Sequence, residues 1–393
     1  MDAKAAAFTL FLFAGNLKSD VRLSWLPVDL TVLAAAAMLF CLGKAWVQNG
    51  FRIPVALFWV CGLFASFLLP VPLTEFTDYS VEKTLKLFSL TFLCAAAPLF
   101  LFKTEQDLRR LWNAVACVAM LMAFDAVAQI FFGVNVNPVD ETASGITAFG
   151  SNTIALGRTT GMALVWIALL GLEKKIGLPR TLFFSAPLVI ALVGSGSRGP
   201  LLLTFIVLAL SGVLFYWKRA DLLGRFAAAF MTVSLVCMYG FTVIPDKAAT
   251  RIEEFLTGDF TNSELMRVQA YGLTWDKIGT TPWGTGWGGF ETSINLWPGD
   301  DRQYPHNLLL EVLLEGGWLA GGIFLALIGW GLWKAYRGAV NVEQRAFFAL
   351  FLFTVGNAMV SGDINDNKEF FALLGLSLGF PAFRSIVEER RHG

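Results

Sequence analysis

The chain has 393 residues, of which 56% are hydrophobic and only 15% are charged, and its mean hydropathy is +0.61. This composition excludes a soluble globular domain and predicts a polytopic membrane protein. Lys and Arg together number 30, as do Asp and Glu, so the net charge is zero and no nucleic-acid partner is expected. All five cysteines lie in apolar runs, which favours core packing over a disulfide or zinc site.

Twelve apolar runs are long enough, or nearly so, to cross the roughly 30 Å of hydrocarbon in a bilayer. They cover residues 4–17, 27–46, 53–70, 81–102, 108–132, 152–172, 180–195, 200–217, 225–244, 316–336, 344–361 and 369–386. The first run could be a signal peptide, but no small-residue cleavage pattern follows it, so we expect a short span that stays attached. The pattern predicts an all-α fold with about twelve transmembrane helices and a single integral membrane domain over residues 1–393.

The distribution of Lys and Arg predicts the orientation of these spans. If the amino terminus is cytoplasmic, every inner segment contains Lys or Arg, whereas the outer loops 71–80 and 134–151 contain neither. This is the positive-inside pattern, and it places both termini in the cytoplasm. The long connection 245–315, between spans nine and ten, then lies outside. It contains a predicted amphipathic helix, Ser263 to Ile278, and a Gly/Trp-rich turn at 281–290; ordered connections of this length are usually functional.

One of the two histidines lies near the end of this outer connection. His306 follows Pro305, which suits the first turn of a helix, so we expect the imidazole near the positive end of the helix dipole. That position disfavours imidazolium and would keep a neutral ring available as a general base. A capping or packing histidine explains the same spacing. The other histidine, His392, lies in a charged tail.

Two arginines lie at the outer ends of predicted spans. Arg198 opens the eighth span after the tight turn 194–197, where backbone N–H groups and the guanidinium could bind phosphate oxygens, or the arginine could only cap the turn. Arg158 lies near two turns into the sixth span. It must therefore face a polar interior, a ligand, or an acid such as Asp140 or Glu141.

The outer connection offers a third arginine and several weaker candidates. Arg267 follows the predicted N-cap Ser263, where it could bind a ligand or pair with Glu264 on a solvated helix. The tryptophans of the outer side could stack on sugars, but are more typical of interfacial anchors. A divalent metal could use the outer acids, although adjacent acids are more typical of a solvated turn. The outer tryptophans are Trp283, Trp287, Trp297 and Trp318, and the outer acids are Asp300, Asp301, Asp363 and Asp366.

The end of the outer connection resembles the superfamily of O-antigen ligases and O-antigen polymerases. That family has a large periplasmic loop that ends in His-Asn, with Ser or Gln as alternatives to Asn. A gap of nine residues follows, and then the pattern Gly-x-x-Gly/Thr/Tyr. Here the corresponding residues are His306 and Asn307, nine further residues and Gly317. At the last position of this pattern the chain has Ala320, a small residue, where the family has Gly, Thr or Tyr.

Two further elements strengthen the resemblance, which covers roughly 150–320 by motif and the whole chain by topology. The sequence around Arg198, Ser-Arg-Gly, is similar to the Ser-Arg-Gly turn of the family. Arg267 is followed by a Trp and a Pro-Trp-Gly-x-Gly stretch, as is the loop arginine of the family.

The resemblance implies a membrane glycosyltransferase of the C type that inverts the anomeric carbon and works without a metal or other cofactor. By analogy, His306 is the general base and Asn307 orients the base or the acceptor. The pyrophosphate of an undecaprenyl-linked glycan is then held by cations. The stronger candidates are Arg158, Arg198 and Arg267, and the weaker ones are Lys83 and Lys368.

The implied location is the bacterial inner membrane, with the active site on its periplasmic face. A single long outer loop favours a ligase, which transfers the glycan to lipid A-core, over a polymerase, which uses a second lipid-linked glycan as acceptor. A non-enzymatic transporter of the same lipid would use the cations but would not need His306.

Overall fold

The structure is a computed structural model that describes residues 2–137, 145–217, 224, 250, 262–297, 299 and 302–379. In this part of the chain the backbone forms helices joined by turns and loops, as the apolar runs predict. In chain order the helices are α1 (Ala3–Leu17), α2 (Leu30–Gln48), α3 (Ala56–Leu68), α4 (Asp78–Leu101), α5 (Glu105–Phe132), α6 (Thr153–Leu172), α7 (Leu178–Gly194), α8 (Arg198–Tyr216), α9 (Asn262–Thr280), α10 (Gly289–Ser293), α11 (Leu308–Arg337), α12 (Val342–Ala358) and α13 (Lys368–Gly379).

Seven helices in the described ranges are long and apolar enough to cross a bilayer, and α1 and α7 are shorter apolar helices. The chain is therefore a polytopic membrane protein, as its composition predicts. The ninth predicted span, 225–244, lies outside the described residues, as does the twelfth beyond Gly379. The count of twelve thus stays a prediction, as do the orientation and the division into one membrane domain and a periplasmic loop.

Short polar residues fix where several helices begin. The side chain of Asn152 accepts a hydrogen bond from the N–H of Ala155 at 2.7 Å and begins α6. Thr104 and Asn341 form capping boxes at the starts of α5 and α12. Each cap satisfies an N–H group that the first turn would otherwise leave unpaired. Apart from α11, the described helices that correspond to predicted spans therefore begin within a few residues of the predicted starts.

Helix α6 lies at the centre of the bundle, packed against α5, α7, α8 and α12. Glycines let its neighbours approach closely. A Cβ at Gly157 would lie 3.2 Å from the Cβ atoms of Ser197 and Pro200, and one at Gly161 would lie 2.8 Å from Phe353. Helix α2, by contrast, buries only Ala34 and Met38. Its apolar surface is suited to lipid.

The start of α11 differs from the prediction. The apolar pattern predicted a span from residue 316, but the helix begins eight residues earlier, at Leu308, with Asn307 as its N-cap. It bends at Gly317, where φ is 80° and ψ is 176°, a conformation that glycine adopts without the steric cost of a side chain. Pro305 is therefore not in the first turn, and His306 lies just before the cap with a φ of 54°. Placing His306 within the helix was wrong.

The described part of the outer connection agrees better with the sequence. Helix α9 contains the predicted segment Ser263 to Ile278. The Gly/Trp-rich turn follows it and packs beside the bend of α11, because the N–H of Thr285 donates to the carbonyl of Leu314 and that of Trp318 donates to the carbonyl of Pro282, both at 2.9 Å.

Candidate functional site

A cavity of about 690 Å³ lies among the ends of the helices that the charge pattern assigns to the outer side. Its walls come from α1, α2, α4 and the start of α6, together with residues 302–304 and 361–369. The wall contains six cationic side chains: Lys18, Lys83, Lys86, Arg158, Arg302 and Lys368. A cavity of this size, with convergent charges, is the natural candidate for a ligand site.

Four of these cations are matched by direct carboxylate contacts. The pairs are Lys18–Asp29, Lys86–Glu82, Arg302–Asp363 and Lys83 with Glu311 and Glu315. Such pairing leaves little net charge for an anionic ligand. The remaining wall cations, Arg158 and Lys368, are therefore the stronger candidates for binding an anion.

Arg158 is held in place by backbone oxygens. Its Nη2 donates to the carbonyls of Asn357 at 3.1 Å and Ser361 at 2.6 Å. Its Nε is buried and has no hydrogen-bond partner among the described residues. Carbonyls orient the guanidinium without neutralising its charge, so this arrangement suits an anion in the cavity. Asp140 and Glu141, the acids offered by the sequence as partners, lie outside the described residues.

Lys83 contributes to the wall, and its side chain is fully buried in a cluster of three charges. Its Nζ is 2.7 Å from Oε1 of Glu311 and 2.6 Å from Oε2 of Glu315. Glu315 also accepts hydrogen bonds from the N–H groups of Gly288 at 2.9 Å and Phe290 at 3.3 Å. The cluster thus joins α4, α11 and the Gly/Trp-rich turn.

His306 lies beside the cavity, one residue behind its surface. Its ring centroid is 4.4 Å from that of Tyr304, which lines the wall, and 5.8 Å from that of Trp297. The hydroxyl of Tyr271 donates to the backbone oxygen of His306 at 3.5 Å. Because Tyr271 follows Arg267 by about one turn of α9, this contact places the helix of Arg267 next to His306.

Both the oxygen and the nitrogen of the Asn307 side-chain amide form hydrogen bonds to the backbone. The oxygen accepts from the N–H of Leu310 at 3.0 Å, and Nδ2 donates to the carbonyl of Met359 at 3.0 Å. These bonds cap α11 and tie it to the chain that follows α12. Its role in orienting a base or acceptor stays a prediction.

The connection between α12 and α13, residues 359–367, touches most of the predicted site elements. Arg158 and Asn307 bind its carbonyl oxygens, as described above. Val360 lies against the Ser-Arg-Gly turn, since a Cβ at Gly199 would be 3.2 Å from its Cγ2. The N–H of Ile364 donates to Oε1 of Glu311 at 3.1 Å. This segment, which we call the 359–367 connection, joins the cavity wall to the helix that follows His306.

The acids of the 359–367 connection are bound by an arginine. Nη2 of Arg302 contacts Oδ2 of Asp363 at 3.0 Å and both carboxylate oxygens of Asp366 at 2.9 Å. Burial alone would raise the pKa of Asp363, but the charges of Arg302 and Lys83 outweigh it and hold the pKa below its ordinary value. Among the described residues, no group of three or more His, Cys, Asp or Glu side chains could hold a metal ion.

The structure thus divides the predicted site residues into two groups. Arg158, Lys83 and Lys368 contribute to the cavity wall. Among the described residues, the wall does not include His306, Asn307, Arg198 or Arg267. These four lie next to elements that do line it, so their common site with the wall cations stays a prediction.

A comparison with known proteins matched a segment of the chain that contains the second group of residues. Residues 183–325 match the family model described as O-antigen ligase. The match supports membership of the chain in the O-antigen ligase superfamily. A comparison with curated proteins found no match. The segment matched to the O-antigen ligase family contains Arg198, Arg267, His306 and Asn307, while Arg158, Lys83 and Lys368 lie outside it.

Sequence reasoning missed the 359–367 connection and the partners of Lys83. Both left signals. Residues 361–367 are polar apart from a glycine and one isoleucine, although apolar runs flank them. Glu311 and Glu315 lie four residues apart at the start of an apolar helix, and carboxylates on one face of such a helix require a buried cation.

Proposed function

We propose that this protein is an O-antigen ligase of the bacterial inner membrane. It transfers a glycan from undecaprenyl pyrophosphate to a sugar hydroxyl of lipid A-core, on the periplasmic face. Two observations support the proposal: the family match over 183–325 and the cavity, whose wall cations Arg158 and Lys368 form no direct ion pair among the described residues. The cavity carries most of the argument, because it offers an anionic lipid head group room and charge in one place.

In the proposed reaction, His306 takes the proton from the acceptor hydroxyl. The hydroxyl oxygen attacks the anomeric carbon, a new C–O bond forms with inversion, and the bond to the pyrophosphate oxygen breaks. Undecaprenyl pyrophosphate leaves with the electron pair, and the nearby cations offset the charge that develops on it. The leaving group is already anionic and activated, so no general acid is needed.

The residues are assigned as follows. Arg158 and Lys368 hold the pyrophosphate in the cavity, and Arg198 and Arg267 approach it from the Ser-Arg-Gly turn and from α9. Asn307 orients the base or the acceptor. Lys83 joins the wall to α11, since both of its carboxylate partners lie on that helix.

The test is reconstitution of the purified protein in proteoliposomes with an undecaprenyl-pyrophosphate glycan. One sample receives lipid A-core as acceptor, a second receives only further lipid-linked glycan, and a third contains the His306→Ala variant with lipid A-core. We expect the native protein to transfer the glycan to lipid A-core and the His306→Ala variant to show no transfer. Chain extension in the second sample would instead identify a polymerase. Movement of the lipid across the bilayer by both proteins, without transfer, would identify a transporter.

A further inference from the structure

Helix α9 has an apolar stripe that faces away from the protein. Leu265, Val268, Gly272, Trp275 and Gly279 recur at intervals of three and four residues, so they share one side of the helix. The side chains of Leu265, Val268 and Trp275 are 56%, 66% and 64% exposed. Side chains added at Gly272 or Gly279 would meet no atom of the described residues within 4 Å. Such a stripe calls for a partner.

The rest of α9 shows that this exposure is organised. Ala270, Thr274 and Ile278 form the buried face, and Ala270 and Ile278 pack with Phe290 and Leu314 beside α11. Between the buried face and the apolar stripe lies an exposed strip containing the polar residues Gln269, Asp276 and Thr280, with Leu273, which is 39% exposed, at its edge. The outward side of α9 is therefore divided lengthwise into an apolar half and a polar half.

The apolar half continues into the lipid-facing surface of a spanning helix. Trp318 is 53% exposed, and its Nε1 donates to the carbonyl of Ile278 near the end of α9 at 3.0 Å. Below Trp318 on the same side of α11 lie Leu325 and Trp333, which are also exposed. Since α11 is long and apolar enough to cross the bilayer, this exposed apolar side of it is suited to lipid. Trp318 connects the two surfaces.

We propose that α9 lies in the outer interface of the bilayer and that its apolar half contacts lipid. A helix divided into apolar and polar halves binds in this way, with its apolar side buried about 5–10 Å into the head-group and acyl boundary. Trp275 and Trp318 then lie at the head-group level, where tryptophan is enriched. The continuity with α11 favours lipid over a second copy of the chain as the occupant.

The lipid contact fixes the orientation of the outer connection. Arg267 is half-buried and lies about 100° around the helix from Val268, on the protein side. Lipid binding by the apolar half would therefore hold Arg267 toward the bundle. This surface does not depend on the transfer reaction, and it can be tested without substrate.

The experiment uses the full chain in nanodiscs of phosphatidylethanolamine and phosphatidylglycerol, with p-benzoylphenylalanine at a single position. Positions 268 and 275 probe the apolar half. Positions 269 and 276, each adjacent in sequence and exposed, are matched controls on the polar half. After irradiation, mass spectrometry of peptides from 262–280 measures lipid adducts.

We expect several-fold more lipid adduct at 268 and 275 than at 269 and 276. Equal adducts at all four positions, or none at 268 and 275, would refute the proposal. Cross-links from 268 and 275 to a second copy would identify a dimer interface instead, and cross-links to residues 218–261 would show that the chain itself covers the stripe.

Discussion

The segment matched to the O-antigen ligase family and the wall of the cavity are almost separate parts of the chain. The matched segment, 183–325, contains the proposed base and two of the proposed cations, yet it contributes only Arg302 and Tyr304 to the described wall. The rest of the wall comes from α1, α2, α4, α6 and residues 361–369. Under the proposed function, the reacting groups and the binding cavity would therefore be carried by different regions.

The cations of the cavity wall differ in how their charges are balanced. Around α11, buried charges are paired: Lys83 contacts two carboxylates, and Arg302 contacts two more. Arg158, by contrast, is oriented by two carbonyl oxygens and forms no direct ion pair among the described residues. Paired charges position the backbone, whereas unpaired ones bind. The following predictions test this division, beginning with the largest expected effect.

His306→Ala is expected to have the largest effect on transfer. Loss of a general base lowers the rate by about 10²–10⁴-fold, while binding of the donor should be unchanged because His306 lies outside the described wall. Single-turnover transfer and donor binding, measured on the same preparation, separate the two effects. A variant that loses donor affinity as well would place His306 in the binding site.

Lys83→Met is expected to destabilise the protein by about 3–5 kcal/mol, because it leaves two buried carboxylates without their cation. Thermal unfolding in detergent measures the change. Hydrogen exchange without substrate should also show faster exchange of residues 282–290, since Glu315 binds that turn.

The exposed Lys175→Met is the control for this substitution. The double variant Lys83→Met with Glu311→Gln restores the local net charge and should recover part of the stability. If the turn keeps its protection in a folded Lys83→Met variant, Lys83 does not position it.

Arg158→Met should weaken donor binding by about 1.5–3 kcal/mol, the contribution of a charged hydrogen-bonding group. Arg198→Met and Arg267→Met should weaken it less, because neither residue lies on the described wall. The measurement is the KM for the donor at saturating acceptor, with the exposed Arg180→Met as control. If Arg198→Met and Arg267→Met weakened donor binding more than Arg158→Met, the pyrophosphate site would be assigned to the matched segment and not to the cavity.

Asn307→Ala should have the smallest effect on stability, about 1 kcal/mol for the lost N-cap. Asn307→Asp keeps the cap but loses the bond from Nδ2 to the carbonyl of Met359. Comparison of their thermal unfolding and transfer rates separates capping from attachment to the 359–367 connection. Equal transfer by Asn307→Asp and the native protein would show that this attachment is dispensable.

Much of the fold was predictable because the bilayer imposes simple rules. A spanning helix needs about 20 apolar residues, and polar caps mark its ends. The predicted spans around α5, α6 and α8 therefore agree closely with the helices. The start of α11 was missed because its first two turns carry Glu311 and Glu315. These acids interrupt the apolar pattern, and their burial is stabilised by Lys83, more than 200 residues earlier, and by backbone N–H groups of distant segments.

The sequence by itself determined that the chain is a helical membrane protein and that its region around His306 resembles an O-antigen ligase, since hydropathy and short motifs are local properties. Only the tertiary structure decided which cations share a cavity and which are neutralised. Lys83 and Arg158 both lie near the outer ends of predicted spans, but one contacts two carboxylates and the other contacts carbonyl oxygens. The difference depends on contacts between residues far apart in the chain, and no local pattern encodes those contacts.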